Sequence, residues 1–255
     1  MSVHCVIPDV QAKEGVSLDH LTWAARYIAE KRPDTIICLG DFADMPSLSS
    51  YDVGKKSFEG RRYTKDIEVA QEAMCTFLEP IRQEQQRLIR NKEKRWNPRM
   101  VLTLGNHENR INRAIESDPK IEGLISVKDL TYEEYGWEVY PYLEVVTIDG
   151  IAYSHYFVSG VLGRPVSSAR MLLTKHHMSC VAGHQQGRDI SYGQRADGTR
   201  MTGIISGSFY QHDEDYMTAQ NNKCWKGIWF LHDVIDGSTD EMPLSLDYLR
   251  RKYAA

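Results

Sequence analysis

The sequence predicts an α/β fold in a single domain that covers residues 1–255. Short runs rich in Val and Ile recur along the chain between Gly, Asp or Pro residues, which is typical of strands buried on both faces. A helical segment separates the first two runs, and a strand, helix, strand order favours a parallel pair. No internal repeat, low-complexity tract or Pro/Gly-rich linker interrupts this order, so nothing divides the chain into two domains.

The first half of the chain predicts two helices. Residues 17–34 place leucines and alanines on one helical face and stop at Pro33. A longer helical period covers residues 63–96, and we expect a kink or break at Pro80. This helix and the charged loop before it form a predicted insertion at about 45–98.

The second half of the chain adds antiparallel elements. Asp149-Gly150 lies between two extended runs, which predicts a tight hairpin. Asp197-Gly198 predicts another hairpin, and residues 167–179 predict a helix before the run "CVAG". The predicted sheet is therefore mixed.

Composition excludes several classes of protein. With 42% hydrophobic and 26% charged residues, the composition is not that of a disordered or fibrous protein. A net charge of -4 argues against a protein that binds nucleic acid over most of its surface. We expect no membrane partner, because the sequence shows no secretory signal or transmembrane run. No feature of the sequence indicates an obligate protein partner. Five scattered cysteines without a C-x-x-C pair favour reduced thiols and a cytoplasmic location.

Five of the apolar runs end in a residue type that binds metal ions. Alone, an Asp or Asn after Gly is usually a turn or a helix cap, and a lone His is usually a satisfied polar residue. Together they indicate a site, because the carboxyl ends of strands share one edge of an open α/β sheet. Carboxylate, carboxamide and imidazole groups suit borderline divalent ions such as Mn, Fe, Zn or Ni. The five residues are Asp9, Asp41, Asn106, His155 and His184.

The series "PDVQ", "GDFAD", "GNHE", "SHY" and "GHQQ" resembles the calcineurin-like metallophosphoesterase family. The motifs of that family run D-x-H, G-D, G-N-H-[ED], H and G-H-x-H, and the resemblance extends from Asp9 to about Phe209. It implies a two-sheet β-sandwich flanked by helices, in four αββα layers. It also implies a phosphoester hydrolase with one or two divalent metal ions per chain, for which Mn is favoured and Ni, Fe, Zn and Mg are alternatives.

The resemblance also implies roles for individual residues. Asp41 would bridge two cations and Asp9 would anchor one of them. His107, which is not a ligand in that family, would steady the transition state or protonate the leaving oxygen. Glu108 would orient a neighbour of the metal site. The second cation would be held, with Asp41, by Asn106, His155 and His184.

Two departures from the family pattern fall on the same metal site. Gln11 stands where the family has the histidine of D-x-H, and Gln186 stands where it has the last histidine of G-H-x-H. Both glutamines could ligate through their carbonyl oxygens, which suits Mn or Mg, or could bind through water and leave the site weak or empty. A third interpretation is loss of activity. We expect one tightly and one loosely bound ion.

A basic loop between the second and third motifs is the candidate substrate-binding segment. Residues 50–65 interleave cations with aromatic residues, which could grip a phosphate chain and stack bases, although a solvated loop has the same composition. Arg110 could reach a phosphate or pair with an acid. The cations of the loop are Lys55, Lys56, Arg61 and Arg62, with Lys65 at its end.

The expected substrate is a phosphoester, and we favour a diester because weak charge neutralisation at one metal suits a single phosphate charge. A nucleotide or a nucleic acid would fit this description. A phosphomonoesterase and a nuclease are the alternative enzymes. A non-catalytic metal-containing module that binds phosphate or nucleic acid is the alternative from another class.

Overall fold

The computed structural model describes residues 2–214, 217 and 220–254. The strands that it describes are β1 (Ser2–Ile7), β2 (Thr35–Cys38), β3 (Arg99–Thr103), β4 (Glu138–Tyr140), β5 (Val146–Ile148), β6 (Ile151–Ser154), β7 (Ser179–Ala182), β8 (Arg188–Gln194), β9 (Arg200–Ser206), β10 (Gly227–Ile235) and β11 (Ser238–Ser245). The α-helices are α1 (Asp19–Lys31), α2 (Tyr63–Arg90), α3 (Arg110–Ser117), α4 (Ala169–His176) and α5 (Leu246–Tyr253).

The strands form two mixed sheets. The first has the order β11-β10-β1-β2-β3-β4, in which β1 to β4 are parallel and β10 and β11 antiparallel to their neighbours. The second has the order β5-β6-β7-β9-β8, with β6, β7 and β9 parallel. The predicted parallel pair across α1 is confirmed, as are the hairpins at Asp149-Gly150 and Asp197-Gly198.

Three apolar clusters of described residues hold the layers together. The inner faces of the two sheets share one cluster, in which Val6 and Ile37 of the first sheet join Tyr153 and Val181 of the second. A larger cluster packs α1, α2, α3 and α5 on the outer face of the first sheet, and a smaller one packs α4 on the second. The molecule is therefore the four-layer sandwich flanked by helices that the family resemblance implies.

Helix α2 runs from Tyr63 to Arg90 through Pro80, so of the two alternatives predicted there, a kink or a break, the break is wrong. Proline removes one backbone hydrogen bond from a helix interior. Here the helix continues because Phe77, Leu78 and Ile81 on either side of it are buried against the larger cluster. Among the described residues, no helix combines the length and apolar content needed to cross a bilayer.

Candidate active site

The loops that follow the parallel strands of both sheets meet at one edge of the sandwich. His155, which follows β6, donates from Nδ1 to the carbonyl oxygen of Leu39, which follows β2, over 2.7 Å. The backbone N–H of His184, after β7, donates to Oδ2 of Asp9, after β1, over 2.9 Å. The loops of the second sheet therefore place two imidazoles at the edge where the loops of the first sheet carry carboxylates.

Four of the predicted ligands form a compact group that fits a cation. Ligand atoms of Asp41, His155 and His184 all lie within 4.8 Å of one another. Because Nδ1 of His155 donates to Leu39, neutral His155 presents an unprotonated Nε2, which lies 2.9 Å from Oδ1 of Asn106 and 3.4 Å from Oδ2 of Asp41. Lone pairs face one another across these distances. A divalent cation bound by all of these atoms would relieve that repulsion.

Burial keeps both imidazoles of the group in the neutral form that binds metals. The pKa of His155 is lowered from its usual value by burial, which outweighs the nearby charge of Asp41. Burial, and then the neighbouring His155, lower the pKa of His184 to about 4. The Nδ1 hydrogen bond to Leu39 also fixes the ring of His155, as outer hydrogen bonds do for many metal-bound histidines.

Two buried carboxylates lie together beside this group. Asp9 is 0% and Asp41 is 1% exposed. Burial and the charge of Asp41 raise the pKa of Asp9, whereas His107 and His155 hold the pKa of Asp41 below its usual value in spite of burial. Like charges of this kind need a compensating cation or a proton. Asp9 therefore fits the predicted role of anchor for a second ion.

His107 is oriented by Asp44 beside these carboxylates. Its Nδ1 lies 2.6 Å from Oδ1 of Asp44, and its Nε2 lies 3.2 Å from Nη2 of Arg110 and 3.7 Å from Oδ2 of Asp41. Burial alone would lower the pKa of His107, but the charges of Asp41 and Asp44 raise it above the usual value. His107 can therefore carry a proton at the site.

Glu108 fastens the loops after β2 and β3 to each other. Its buried carboxylate accepts the backbone N–H groups of Asp41, Ala43 and Gly105 over 2.9, 3.0 and 2.9 Å. The two loops are so close that a Cβ at Gly105 would lie 2.1 Å from Oδ1 of Asp41. Glu108 thus positions the backbone that carries Asp41, which is more specific than the orienting role expected from the sequence.

Left-handed backbone conformations gather at the site. The φ angle is 27° at Asp9, 48° at Gln11, 48° at Asp41, 67° at His184 and 56° at Gln186. Such angles cost on the order of 1 kcal/mol for each residue other than glycine and cluster at functional sites. The two glutamines therefore share the strained backbone of the predicted ligands.

The glutamines are buried and hydrogen-bonded. Gln11 is 0% exposed, and its backbone N–H donates to the carbonyl oxygen of Asp41 over 2.7 Å. Gln186 is 7% exposed, and its Oε1 accepts a hydrogen bond of 2.8 Å from the hydroxyl of Tyr210. One lone pair of the Gln186 carbonyl is therefore already engaged by protein.

A cavity of about 1070 Å³ opens beside the metal ligands. Most of the basic residues predicted to bind the substrate line this cavity. Acidic residues offset part of their charge, because Lys55 and Arg61 form ion pairs with Asp52 at 2.8 and 2.9 Å. Lys56, by contrast, is not among the residues that line it. The predicted site residues that line the cavity are Asp41, Lys55, Arg61, Arg62, Asn106, His107, Arg110, His184 and Gln186.

Sequence reasoning gave no role to several residues at the site. From the sequence, no function was assigned to Lys13, Asp44, Tyr210 or Glu214. Glu214 belongs to a segment after β9 that no local pattern connects with the first strand. Lys13 alone carried a usable signal, because it lies two residues after Gln11 in the loop that follows β1.

Comparison with known proteins agrees with this geometry. A family described as calcineurin-like phosphoesterase matches residues 4–194, which include every predicted ligand. A search of curated proteins found no match for the chain. The matched segment is well over half of the 255 residues. The chain belongs to the calcineurin-like phosphoesterase family, which consists of metal-dependent phosphoester hydrolases.

Proposed function

We propose that this protein hydrolyses phosphodiesters and that its natural partner is a phosphoester substrate, for which a nucleotide and a nucleic acid are the candidates. The observation that carries the proposal is the group of facing lone pairs on Asp41, Asn106 and His155 beside a histidine that can be protonated. Together with His184, these residues would hold one divalent cation. When bound, that cation would neutralise phosphoryl charge and lower the pKa of water.

The protein's own residues would supply the proton and the positioning. His107 donates from Nδ1 to Asp44, so its Nε2 is the atom that can pass a proton to the leaving oxygen. Arg110 donates to the backbone oxygen of Asp44 over 2.7 Å, and its Nη2, which can only donate, faces the same Nε2 at 3.2 Å. Protonation of Nε2 therefore requires Arg110 to exchange this contact for one to a phosphoryl oxygen. Its guanidinium is therefore held where it can contact a phosphoryl oxygen next to the proton donor.

The altered second site supports a diester substrate. Gln11 and Gln186 carry no charge, and the carbonyl of Gln186 already accepts from Tyr210. A cation anchored there by Asp9 would be bound loosely, and neutral oxygen ligands would favour Mn over Zn. Weak neutralisation at that position suits the single negative charge of a diester better than the two charges of a monoester.

A chromogenic diester and its monoester, assayed side by side with Mn, Mg, Ni, Zn and Fe, test this proposal. We expect faster turnover of the diester, with Mn as the best activator. Faster turnover of the monoester would show that the substrate is a monoester, while the reaction would still be metal-dependent phosphoester hydrolysis. No turnover with any metal would favour a non-catalytic phosphate-binding module instead.

A further inference from the structure

We propose that Lys13 is a specificity-determining residue that binds a phosphoryl oxygen of the substrate on the glutamine side of the site. This inference rests on the proposed function, because it names a contact to the same phosphoester. Lys13 lines the cavity together with Asp41, His184 and Gln186. Its partner Glu214 contacts His212, whose ring stacks on Tyr210, and Tyr210 donates to Gln186. Lys13 is therefore linked to the side of the cavity where imidazoles of the family pattern are replaced by amides.

The backbone brings Lys13 to this place through a short parallel pairing of the loops after β1 and β2. The N–H groups of Gln11 and Ala12 donate to the carbonyl oxygens of Asp41 and Phe42 over 2.7 and 2.8 Å. Further along, the N–H of Asp44 donates to the carbonyl oxygen of Ala12 over 3.0 Å. The next residue, Lys13, thus lies beside Asp44 and close to the predicted proton donor.

A buried acid fixes the ammonium group. Nζ of Lys13 donates to Oε1 and Oε2 of Glu214 over 2.8 and 2.7 Å, and the side chain of Glu214 is only 3% exposed. His212 also contacts Glu214, at 2.5 Å from Oε1. A lysine side chain is ordinarily flexible. Held by both oxygens of one carboxylate, Lys13 has lost much of the rotamer freedom that binding a ligand would otherwise cost.

The ammonium still has capacity for a ligand. An ammonium group has three N–H donors, and two of them are directed at Glu214. Within the described part of the chain, its other ion-pair contact is to Oδ2 of Asp44, at 3.5 Å, beyond the usual range of a strong charge-assisted hydrogen bond. The side chain of Lys13 is 21% exposed, so a phosphoryl oxygen in the cavity can reach the third donor.

The test compares four variants with the Mn-loaded wild-type protein. Lys13→Met removes the charge, Lys13→Arg keeps it, and Lys13→Met with Glu214→Gln removes it without leaving a buried acid unpaired. Lys31→Met is the matched control, because Lys31 also pairs with a glutamate but lies on the outside of α1. The readouts are the Kd of inorganic phosphate by calorimetry, kcat and KM for the chromogenic diester, Mn content and Tm.

We expect Lys13→Met and the double variant to raise the Kd of phosphate and the KM about tenfold, the effect of one charge-assisted hydrogen bond. Mn content and kcat should change much less, and the control should not differ from wild type. Lys13→Arg, which keeps the charge but not the compact ammonium, should raise Kd and KM less than Lys13→Met does. Unchanged Kd and KM in the double variant would overturn the inference and leave Lys13 as a partner of Glu214 only. Should the wild type hydrolyse no ester, the proposed function fails, and the phosphate Kd alone then decides the inference.

Discussion

At the scale of single residues, the chemistry of this protein follows from which atoms carry protons. His155 and His184 are neutral because they are buried, whereas His107 keeps a raised pKa because two carboxylates outweigh its burial. The same residue type therefore serves as metal ligand in two places and as proton donor in a third. The strand-end pattern identified His155 and His184, and the family resemblance identified His107, but only the environment separates their protonation states.

Replacing His107 tests the proton donor. His107→Ala should lower kcat for the diester about 10²–10⁴-fold, the usual contribution of general acid catalysis. Mn content should stay at the wild-type level, because His107 is not a proposed ligand. The comparison should be repeated with a substrate that has a more acidic leaving group, for which the loss should be smaller. Equal losses for both leaving groups would argue against proton donation.

At the scale of secondary structure, the sequence predicted types and order well because both depend on local patterns. Buried strands, the helical faces of α1 and α2, and the hairpins at Asp149-Gly150 and Asp197-Gly198 were all confirmed. The absence of a break at Pro80 shows the limit of local sequence rules, since the packing of α2 on the core outweighs one missing hydrogen bond. The pairing of Lys13 with Glu214 spans most of the chain and has no local signal at all.

The uninterrupted helix predicts that Pro80 lowers stability. Pro80→Ala supplies an N–H that can donate to the carbonyl of Thr76, one turn earlier, and it should raise the free energy of unfolding by about 1–3 kcal/mol. Urea denaturation followed by circular dichroism measures this change. A variant less stable than wild type would mean that the proline ring fills space in the packing that alanine leaves open.

At the scale of the whole molecule, two sheets cooperate to build one site. The first sheet supplies Asp9, Asp41, Asn106 and His107, and the second supplies His155 and His184. This division explains why sequence alone could predict that the strand ends converge but could not measure how close they come. It also makes the site depend on the stability of the sandwich as a whole.

One buried histidine away from the metal site should make that stability sensitive to acid. Burial, with a smaller contribution from His212, lowers the pKa of His20 to about 3, although Asp19 opposes the shift. The unfolded chain therefore binds a proton that the folded one does not as pH falls from about 6.5 to about 3, and stability is lost over that window. Between about pH 7 and pH 4.5, wild type should lose about 2–3 kcal/mol more than His20→Phe in urea denaturation. Equal losses in both proteins would show that His20 does not cause the acid sensitivity.

The count of tightly bound Mn ions tests the central claim most directly. Equilibrium dialysis of the metal-free protein against Mn should give one tight ion per chain and a second with much weaker affinity. The double variant Gln11→His with Gln186→His, which restores both imidazoles of the family pattern, should bind two ions tightly. Two tight ions in the wild type, or none, would contradict the account of one intact and one weakened metal site.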